Sequence, residues 1–386
     1  MAKPSGRYGK GPNSRGTVLL AAGGTGGHLF PAEALAHELV ARGYVVHLAT
    51  DERAKQWAGD FPAGDIHILP SATFAGRNPF ALVNAALKLF SGYLDARRLI
   101  GRLRPIAVAG FGGYPTVPPL FAAIRMGVAT LIHDSNAVMG RANKWLAPRV
   151  NMVAMGFAAA GPGGELGKAI ITGNPVRPAI LQAAGKPYPI RKADGPFDLL
   201  VFGGSQGAQY FGEAVPAAVK LLAPEIRSKL RIVQQARMDD EANVKTAYRE
   251  MGVKAEVAPF FTDMAERLIK AHLVICRAGA STVSELAVVG RPAILVPYPY
   301  ALDHDQAMNA QAMAQAGGAR IEAQKDLTPE RLTQIIGEAV RDPAGLALAA
   351  EKAKRSGKPD AAARLADCVE HAAGGGKTED FKGMPA

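Results

Sequence analysis

Gly23-Gly24-Thr25-Gly26-Gly27-His28 follows directly on the apolar run Thr17-Val18-Leu19-Leu20-Ala21-Ala22. The order reads as strand, tight turn, helix start. Such a turn aims backbone N–H groups and the positive end of a helix at whatever lies beyond the strand. About half the chain later the device returns. Gly203-Gly204-Ser205-Gln206-Gly207-Ala208 follows Asp198-Leu199-Leu200-Val201-Phe202. Two such turns predict two doubly wound α/β domains, each on a parallel sheet, facing a shared cleft that takes a phosphorylated ligand.

Working outward, short apolar runs alternate with alanine-rich helical patterns. Strands are expected at 17–22, 44–49, 65–69, 106–109, 128–132 and 150–154, then at 198–202, 230–234, 254–258, 273–276 and 293–296. Helices are expected at 31–42 and 80–103, and at 208–223, 239–251, 262–270, 282–289 and 304–316. This is the βαβ rhythm of a parallel sheet covered on both faces. Residues 17–172 form the first domain and 198–345 the second. The proline- and glycine-rich stretch 173–197 reads as a linker and 346–373 as C-terminal helices. Thr328 before Pro329, and Asp360 after Pro359, read as helix starts. Residues 1–16 and 374–386 read as disordered tails.

The chain has 386 residues, a net charge of +11 and 48% hydrophobic residues. Its mean hydropathy is near zero. No apolar stretch reaches the roughly 20 residues of a spanning helix, and the run after the basic N-terminus is too short for a signal core. Two cysteines, Cys276 and Cys368, give no disulfide framework or zinc pattern, and suit a reducing cytoplasm. The basicity suits an anionic substrate or membrane surface; no zinc-finger or RNP signature favours nucleic acid.

Each motif also has a plainer reading. The first turn departs from the strict dinucleotide fingerprint, because Leu29 stands where a third glycine belongs. A lone glycine turn is often only a connection, but two further glycine loops accompany this pair. They are Gly110-Phe111-Gly112-Gly113-Tyr114 and Gly173-Asn174-Pro175-Val176-Arg177. His28, at a helix start, is expected neutral and fit to act as a base; the plainer reading is a capping or packing histidine. Ser281 and Thr282 can offer donors to a phosphate and Glu285 can accept from a ribose; the plainer reading is a capping box of Thr282 with Glu285. Asp303-His304-Asp305 has the spacing of a DxD metal motif, but it opens a helix, where aspartates cap; no metal and no cofactor are expected.

Taken in order, GGTGGHLFPA (23–32), GFGGYPT (110–116), HDSNAVMGRANKWLA (133–147), GNPVR (173–177), GGSQGA (203–208), CRAGASTVSE (276–285) and DQAMNA (305–310) resemble the cell-wall enzymes of glycosyltransferase family 28. The resemblance covers nearly the whole ordered chain. It implies the GT-B fold, two Rossmann-like domains with an interdomain cleft, and transfer of N-acetylglucosamine from UDP-N-acetylglucosamine to lipid I, undecaprenyl-diphospho-N-acetylmuramoyl-pentapeptide. The second domain would hold the donor and the first the acceptor. Donor contacts implied by the resemblance are Thr25, Gly26, Gly27, Asn136, Arg177, Ser205, Phe261, Ala280, Ser281, Thr282, Val283, Ser284, Glu285 and Gln306. Arg177 and Ser205 suit the nucleotide and its phosphates, Glu285 the ribose, and Phe261 offers its backbone to uracil. Gln306 and Asn309 suit hydroxyls of the donor sugar. Two departures stand out. His133-Asp134-Ser135-Asn136 replaces the usual His-Glu-Gln-Asn, and Tyr300 stands where a histidine is common.

On this reading the acceptor's 4-hydroxyl displaces UDP with inversion, and His28 is the first choice of base, its alternative role being a diphosphate ligand. Gly24, Gly112, Gly113 and Tyr114 would hold the acceptor diphosphate. The acceptor is anchored in a bilayer, so Leu87, Lys88, Phe90, Tyr93 and Arg97 are expected to form an apolar patch rimmed by positive charge. The plainer reading is an amphipathic helix packed on the sheet. The protein is then expected at the cytoplasmic face of the bacterial inner membrane, peripherally, with other cell-wall synthesis proteins as further partners. Three competitors are a nicotinamide-dependent dehydrogenase, a sugar-nucleotide epimerase on the same scaffold, and a non-enzymatic binder of anionic headgroups.

Overall fold

The computed structural model describes residues 14–24, 26–53, 61–72, 79–158, 169–192, 194–204, 208–301 and 305–381. Thr25, Ser205 and the Asp303-His304 pair lie outside the described residues. The chain divides into two compact units, residues 1–177 with 360–386, and residues 178–359.

The first unit holds seven strands: β1 Thr17–Ala21, β2 Val45–Thr50, β3 Asp65–Ile68, β4 Ala107–Gly110, β5 Ala129–Asp134, β6 Met152–Met155 and β7 Ile170–Ile171. Their order is β3-β2-β1-β4-β5-β6-β7 and every pairing is parallel. Helices α1 Gly26–Ala41, α2 Pro79–Leu103, α3 Val117–Arg125 and α4 Arg141–Leu146 connect them. β1 and β4 are buried at every residue, which is why they lack alternation.

The second unit holds helix α5 Pro178–Ala184, strands β8 Phe197–Phe202, β9 Leu230–Gln235, β10 Lys254–Ala258, β11 Leu273–Cys276, β12 Ala293–Leu295 and β13 Ala319–Ile321, and helices α6 Gln209–Leu221, α7 Pro224–Arg227, α8 Met238–Glu250, α9 Met264–Lys270, α10 Ala280–Val289, α11 Asp305–Gln315, α12 Pro329–Arg341 and α13 Pro343–Ser356. Its sheet runs β10-β9-β8-β11-β12-β13, again all parallel.

In both sheets the strand order reverses beside the first strand of the unit. The switch lies between β1 and β4 in one and between β8 and β11 in the other. Open parallel sheets bind ligands outside the carboxyl ends of the strands at this switch. The turns that follow β1, β4, β8 and β11 therefore lie at the carboxyl edges beside these switches. Gly24 and Gly204, each second in its pair, both have positive φ, +85° and +89°. That is the structural trace of the repeat seen in the sequence.

Several elements differ from expectation. Helix α1 opens at Gly26, not at residue 31, so the glycines are part of its first turn. The stretch 178–184, taken as linker, is helix α5, which buries Ile180 and Ala183. The two short strands β7 and β13 have too few residues to show a pattern. The end of the chain returns to the first unit as α14 Ala361–Ala373 and α15 Thr378–Phe381. Leu365, Cys368, Val369 and Ala372 join the core under α1. Arg42 on the chain after α1 bonds Asp367 at 2.6 Å and Glu370 at 2.9 Å. The expected disordered tail 374–386 is thus ordered through residue 381. Thr378 is buried, its backbone N–H and hydroxyl donate to the Asn151 carbonyl, and its hydroxyl accepts from the Val153 N–H. Arg15, placed in the N-terminal tail, pairs with Glu370 at 2.9 Å.

Candidate active site

In the first unit, α1 carries His28 in its first turn. The imidazole Nδ1 is 3.2 Å from the Gly23 carbonyl. A carbonyl only accepts, so Nδ1 carries the proton and Nε2 keeps its lone pair. The ring also borders the second glycine loop: a Cβ built on Gly112 would meet its Cδ2 at 3.4 Å, and one built on Gly113 would meet its Cε1 at 3.6 Å. Burial lowers the pKa of His28, against the Asp134 charge, the Gly23 carbonyl and the Asp51 charge, which raise it. The net direction is down, so the ring is a neutral base at pH 7.

Asp134 is the last residue of β5. Its carboxylate accepts from the Asn136 N–H at 3.1 Å, the Gly140 N–H at 2.8 Å and the Asn143 amide at 2.9 Å. The departure from glutamate therefore leaves a carboxylate fully engaged in shaping its own loop. Asn143 also donates to the His133 carbonyl at 3.2 Å. His133 itself is fully buried, its Nε2 donates to the Gly173 carbonyl at 3.2 Å, and burial pushes its pKa down to about 4. The 133–147 and 173–177 stretches are thereby tied together. Arg177 lies 4.5 Å above the Phe30 ring. Tyr114 opens a short 3-10 turn, with Gly113 before it at φ +76°.

In the second unit, α10 opens at Ala280. Gly279 caps it and no side chain does. The capping-box reading of Thr282 with Glu285 is corrected here: both lie inside the helix, and its first N–H groups have no side-chain partner from the cap. The Ser281 hydroxyl is buried without a hydrogen-bond partner. Ala280 and Val283 are buried, and Thr282, Ser284 and Glu285 are partly exposed. Phe261 is buried beneath Arg267, whose guanidinium stands 3.9 Å from its ring centre. Gln306 accepts the Tyr298 N–H at 3.0 Å. Asn309 is fully buried and its amide donates to the Ala278 carbonyl at 3.4 Å, which braces the turn before α10. Asp305 accepts the Gln306 N–H at 2.7 Å, as a residue opening α11 does.

Arg277 had no role in the sequence reading. It follows β11 directly and is buried. Its guanidinium donates to the carbonyls of Val296 at 3.2 Å and Pro297 at 3.3 Å, and to Gln324 at 2.6 Å. The rings of Phe211, Tyr298 and Tyr210 surround it at 5.1, 5.4 and 5.8 Å. No salt bridge engages it among the described residues. The available signal was an arginine directly after a fully apolar strand.

On α2, Phe80 (87% exposed), Val83, Leu87 and Phe90 (59%) form an outward apolar stripe, with Lys88 and Arg97 exposed beside it. Tyr93 is only partly exposed. It stacks between Phe90 at 6.3 Å and Phe121 at 5.6 Å, and Phe121 meets the exposed Trp145 at 5.6 Å. Trp145 and Arg149, 4.6 Å over its ring, extend the patch beyond the residues found from sequence. Among the described residues no helix is long and apolar enough to cross a membrane.

Residues 18–155 match the glycosyltransferase family 28 N-terminal domain and residues 198–365 its C-terminal domain. A UDP-N-acetylglucosamine--N-acetylmuramyl-(pentapeptide) pyrophosphoryl-undecaprenol N-acetylglucosamine transferase of Chelativorans sp. (strain BNC1) is 60% identical over 95% of this chain and 98% of its own. The protein of the same name from Rhizobium meliloti (strain 1021) is 59% identical over 95% of this chain and 98% of its own. A crystal structure of Acinetobacter baumannii MurG is 31% identical, covers 92% of this chain and 99% of its own, and superposes with a TM-score of 0.74. With two parallel-sheet Rossmann-like units of the GT-B kind and matches along both, the chain belongs to glycosyltransferase family 28.

Proposed function

We propose that this chain performs a single inverting displacement in which His28 is the base. It is a UDP-N-acetylglucosamine-dependent glycosyltransferase of peptidoglycan synthesis. It moves N-acetylglucosamine to the 4-hydroxyl of the muramoyl-pentapeptide-diphospho-undecaprenol acceptor, giving lipid II and UDP. The relatives carry no support for the epimerase alternative. The observation that supports the assignment of the base is the Nδ1 contact to Gly23, which leaves Nε2 as the acceptor on a ring bordered by two glycine loops.

The 4-hydroxyl oxygen attacks the anomeric carbon while Nε2 takes its proton, and the bond to the UDP oxygen breaks on the opposite face. The charge that builds on UDP meets the first-turn N–H groups of α10, the Ser281 hydroxyl and the buried Arg277 cation. Fixed donors of this kind need no reorganisation during the reaction and contribute about 10²–10³ each in rate. Arg177, Glu285, Gln306, Asn136 and the backbone of Phe261 position the donor; the turns at Gly24, Gly112, Gly113 and Tyr114 take the acceptor diphosphate, and Gly26 and Gly27 add N–H groups toward the donor. Thr25 and Ser205 complete the assignment by resemblance. Asn309 acts through the Ala278 turn.

The α2 stripe docks on an anionic bilayer at the cytoplasmic face of the inner membrane, where other cell-wall synthesis proteins work. The test incubates the protein with labelled UDP-N-acetylglucosamine and a lipid I analogue, with and without chelator. Label should enter lipid as UDP is released, and His28→Ala should lose transfer while keeping donor binding. Normal turnover by that variant removes His28 as base.

A further inference from the structure

A cavity of about 680 Å3 opens at the carboxyl edge of the first sheet, beside the β1 turn rather than within it. Leu69 and Pro70, just after β3, form its apolar floor, and Asp51, just after β2, lines its edge. Ala85 and Lys88 of α2 form one wall. The volume falls in the usual range for small-molecule sites, roughly 300–1,000 Å3. Most of its surface is apolar.

Two contacts fix its place. The Gly24 N–H donates to Asp51 Oδ1 at 3.1 Å, so one end abuts the turn assigned to the acceptor diphosphate. At the other end α2 is pressed on the chain after β3: a Cβ on Gly92 would run into the Pro70 carbonyl oxygen. On a helix that advances 100° per residue, Ala85 lies about 160° from both Val83 and Leu87. The cavity wall and the exposed stripe are therefore opposite faces of one helix. Ala85 is buried while Val83, Leu87 and Phe90 are exposed. The charges at the rim are Asp51, Glu52, Arg53 and Lys88. Asp51 is engaged by the Gly24 N–H and by Arg53 at 2.8 Å. Lys88 is exposed at the mouth and complements a diphosphate.

We propose that this cavity holds the first isoprene units of the acceptor's polyprenyl chain. The inference rests on the acceptor and diphosphate assignments above and extends them to a chain-binding subsite. A chain that joins a diphosphate at Gly24 to a bilayer on the outer face of α2 leaves the turn on the side where this cavity lies. An apolar floor shields those units from water over that distance. The enzyme then recognises part of the lipid itself, independently of the membrane.

The experiment uses the full chain in solution without lipid or detergent. Two soluble acceptors, muramoyl-pentapeptide diphosphates ended by a methyl or by a ten-carbon geranyl group, are compared by KM. Wild type should show a KM for the geranyl acceptor lower by about tenfold or more. Ala85→Phe, which fills the cavity, and Asn84→Trp, which adds bulk at its exposed rim, should bring the ratio below about threefold, with melting temperatures reporting that both fold. Ser91→Asp, exposed on α2 about 120° around the helix from Ala85 and outside the cavity lining, should keep the wild-type ratio. Equal KM values for both acceptors in wild type overturn the subsite, as does a ratio that survives both filling variants or that Ser91→Asp abolishes. Absence of transfer to either acceptor in wild type instead removes the acceptor assignment on which the inference rests.

Discussion

His133 offers a stability measurement whose size can be worked from its surroundings. The side chain is fully buried, donates to Gly173 and is held neutral by burial down to about pH 4, against 6.5 for an ordinary histidine. The unfolded chain therefore binds a proton near 6.5 that the native chain refuses until about 4. Between these values the unfolded state holds more protons, so stability falls as pH falls, at up to about 1.4 kcal/mol per pH unit. Across the window His133 alone costs the first unit about 3 kcal/mol, with its contribution fully present above pH 6.5. The perturbation is His133→Gln, which keeps a donor for Gly173 and cannot titrate. Urea unfolding is followed by tryptophan fluorescence, since Trp145 lies in the first unit. The comparison is of slopes, not of absolute stabilities, because carboxylates and the other histidines titrate in both proteins. Wild type should lose about 3 kcal/mol more than the variant between pH 6.5 and 4. Parallel stability–pH curves would refute the account of His133 as a buried neutral donor.

Four further outcomes follow from the site. His28→Ala should lower kcat by about 10²–10⁴, with UDP-N-acetylglucosamine affinity by calorimetry changed only a few-fold. The acid limb of the wild-type kcat/KM profile should lie below the ordinary histidine value, since burial lowers His28, and Asp134→Asn should move it further toward acid by removing a charge that raises it. Arg277→Met should weaken donor binding by about tenfold or more and lower stability by about 1–3 kcal/mol, because the Val296 and Pro297 carbonyls and Gln324 lose their donor. Reversing the charges of Lys88, Arg97 and Arg98 should weaken sedimentation with anionic vesicles, each lost positive charge costing about 1 kcal/mol at the surface, and leave neutral vesicles unaffected.

The parts of the fold legible in the sequence are those written in local chemistry. Buried strands read as unbroken apolar runs because both faces of each sheet are covered, and the glycine pairs mark where β1 and β8 end. What escaped detection depends on distant partners. The α5 segment looks like a linker because its prolines and glycines flank only two buried apolar residues, Ile180 and Ala183. The last helices look like an appendix until Arg42 meets Asp367 and Glu370, more than 300 positions away. The site divides in the same way. The surroundings of His28 were legible because one partner, Gly23, is also its neighbour in sequence. The contact of Asn309 with the Ala278 carbonyl, 31 positions back, was not legible because it is not written locally. Arg277 was passed over since its carbonyl partners, Val296 and Pro297, come from another strand's exit.

On the proposed assignment, one field accounts for a base and an anion site sharing the start of α1. The unpaired N–H groups of a helix N-terminus amount to a partial positive charge. That charge draws a diphosphate toward Gly24 and also disfavours an imidazolium at His28, so the residue beside the anion is kept unprotonated and ready to accept. Asp134 and Asp51 oppose this and keep His28 from becoming too weak a base. After proton transfer the balance reverses: the imidazolium is stabilised by the same two carboxylates and by whatever anionic product remains at the turn. A site built this way needs its carboxylates close enough to act through space and held in place by partners of their own. Asp134, with three donors of its own, and Asp51, held by Gly24 and Arg53, both meet that condition.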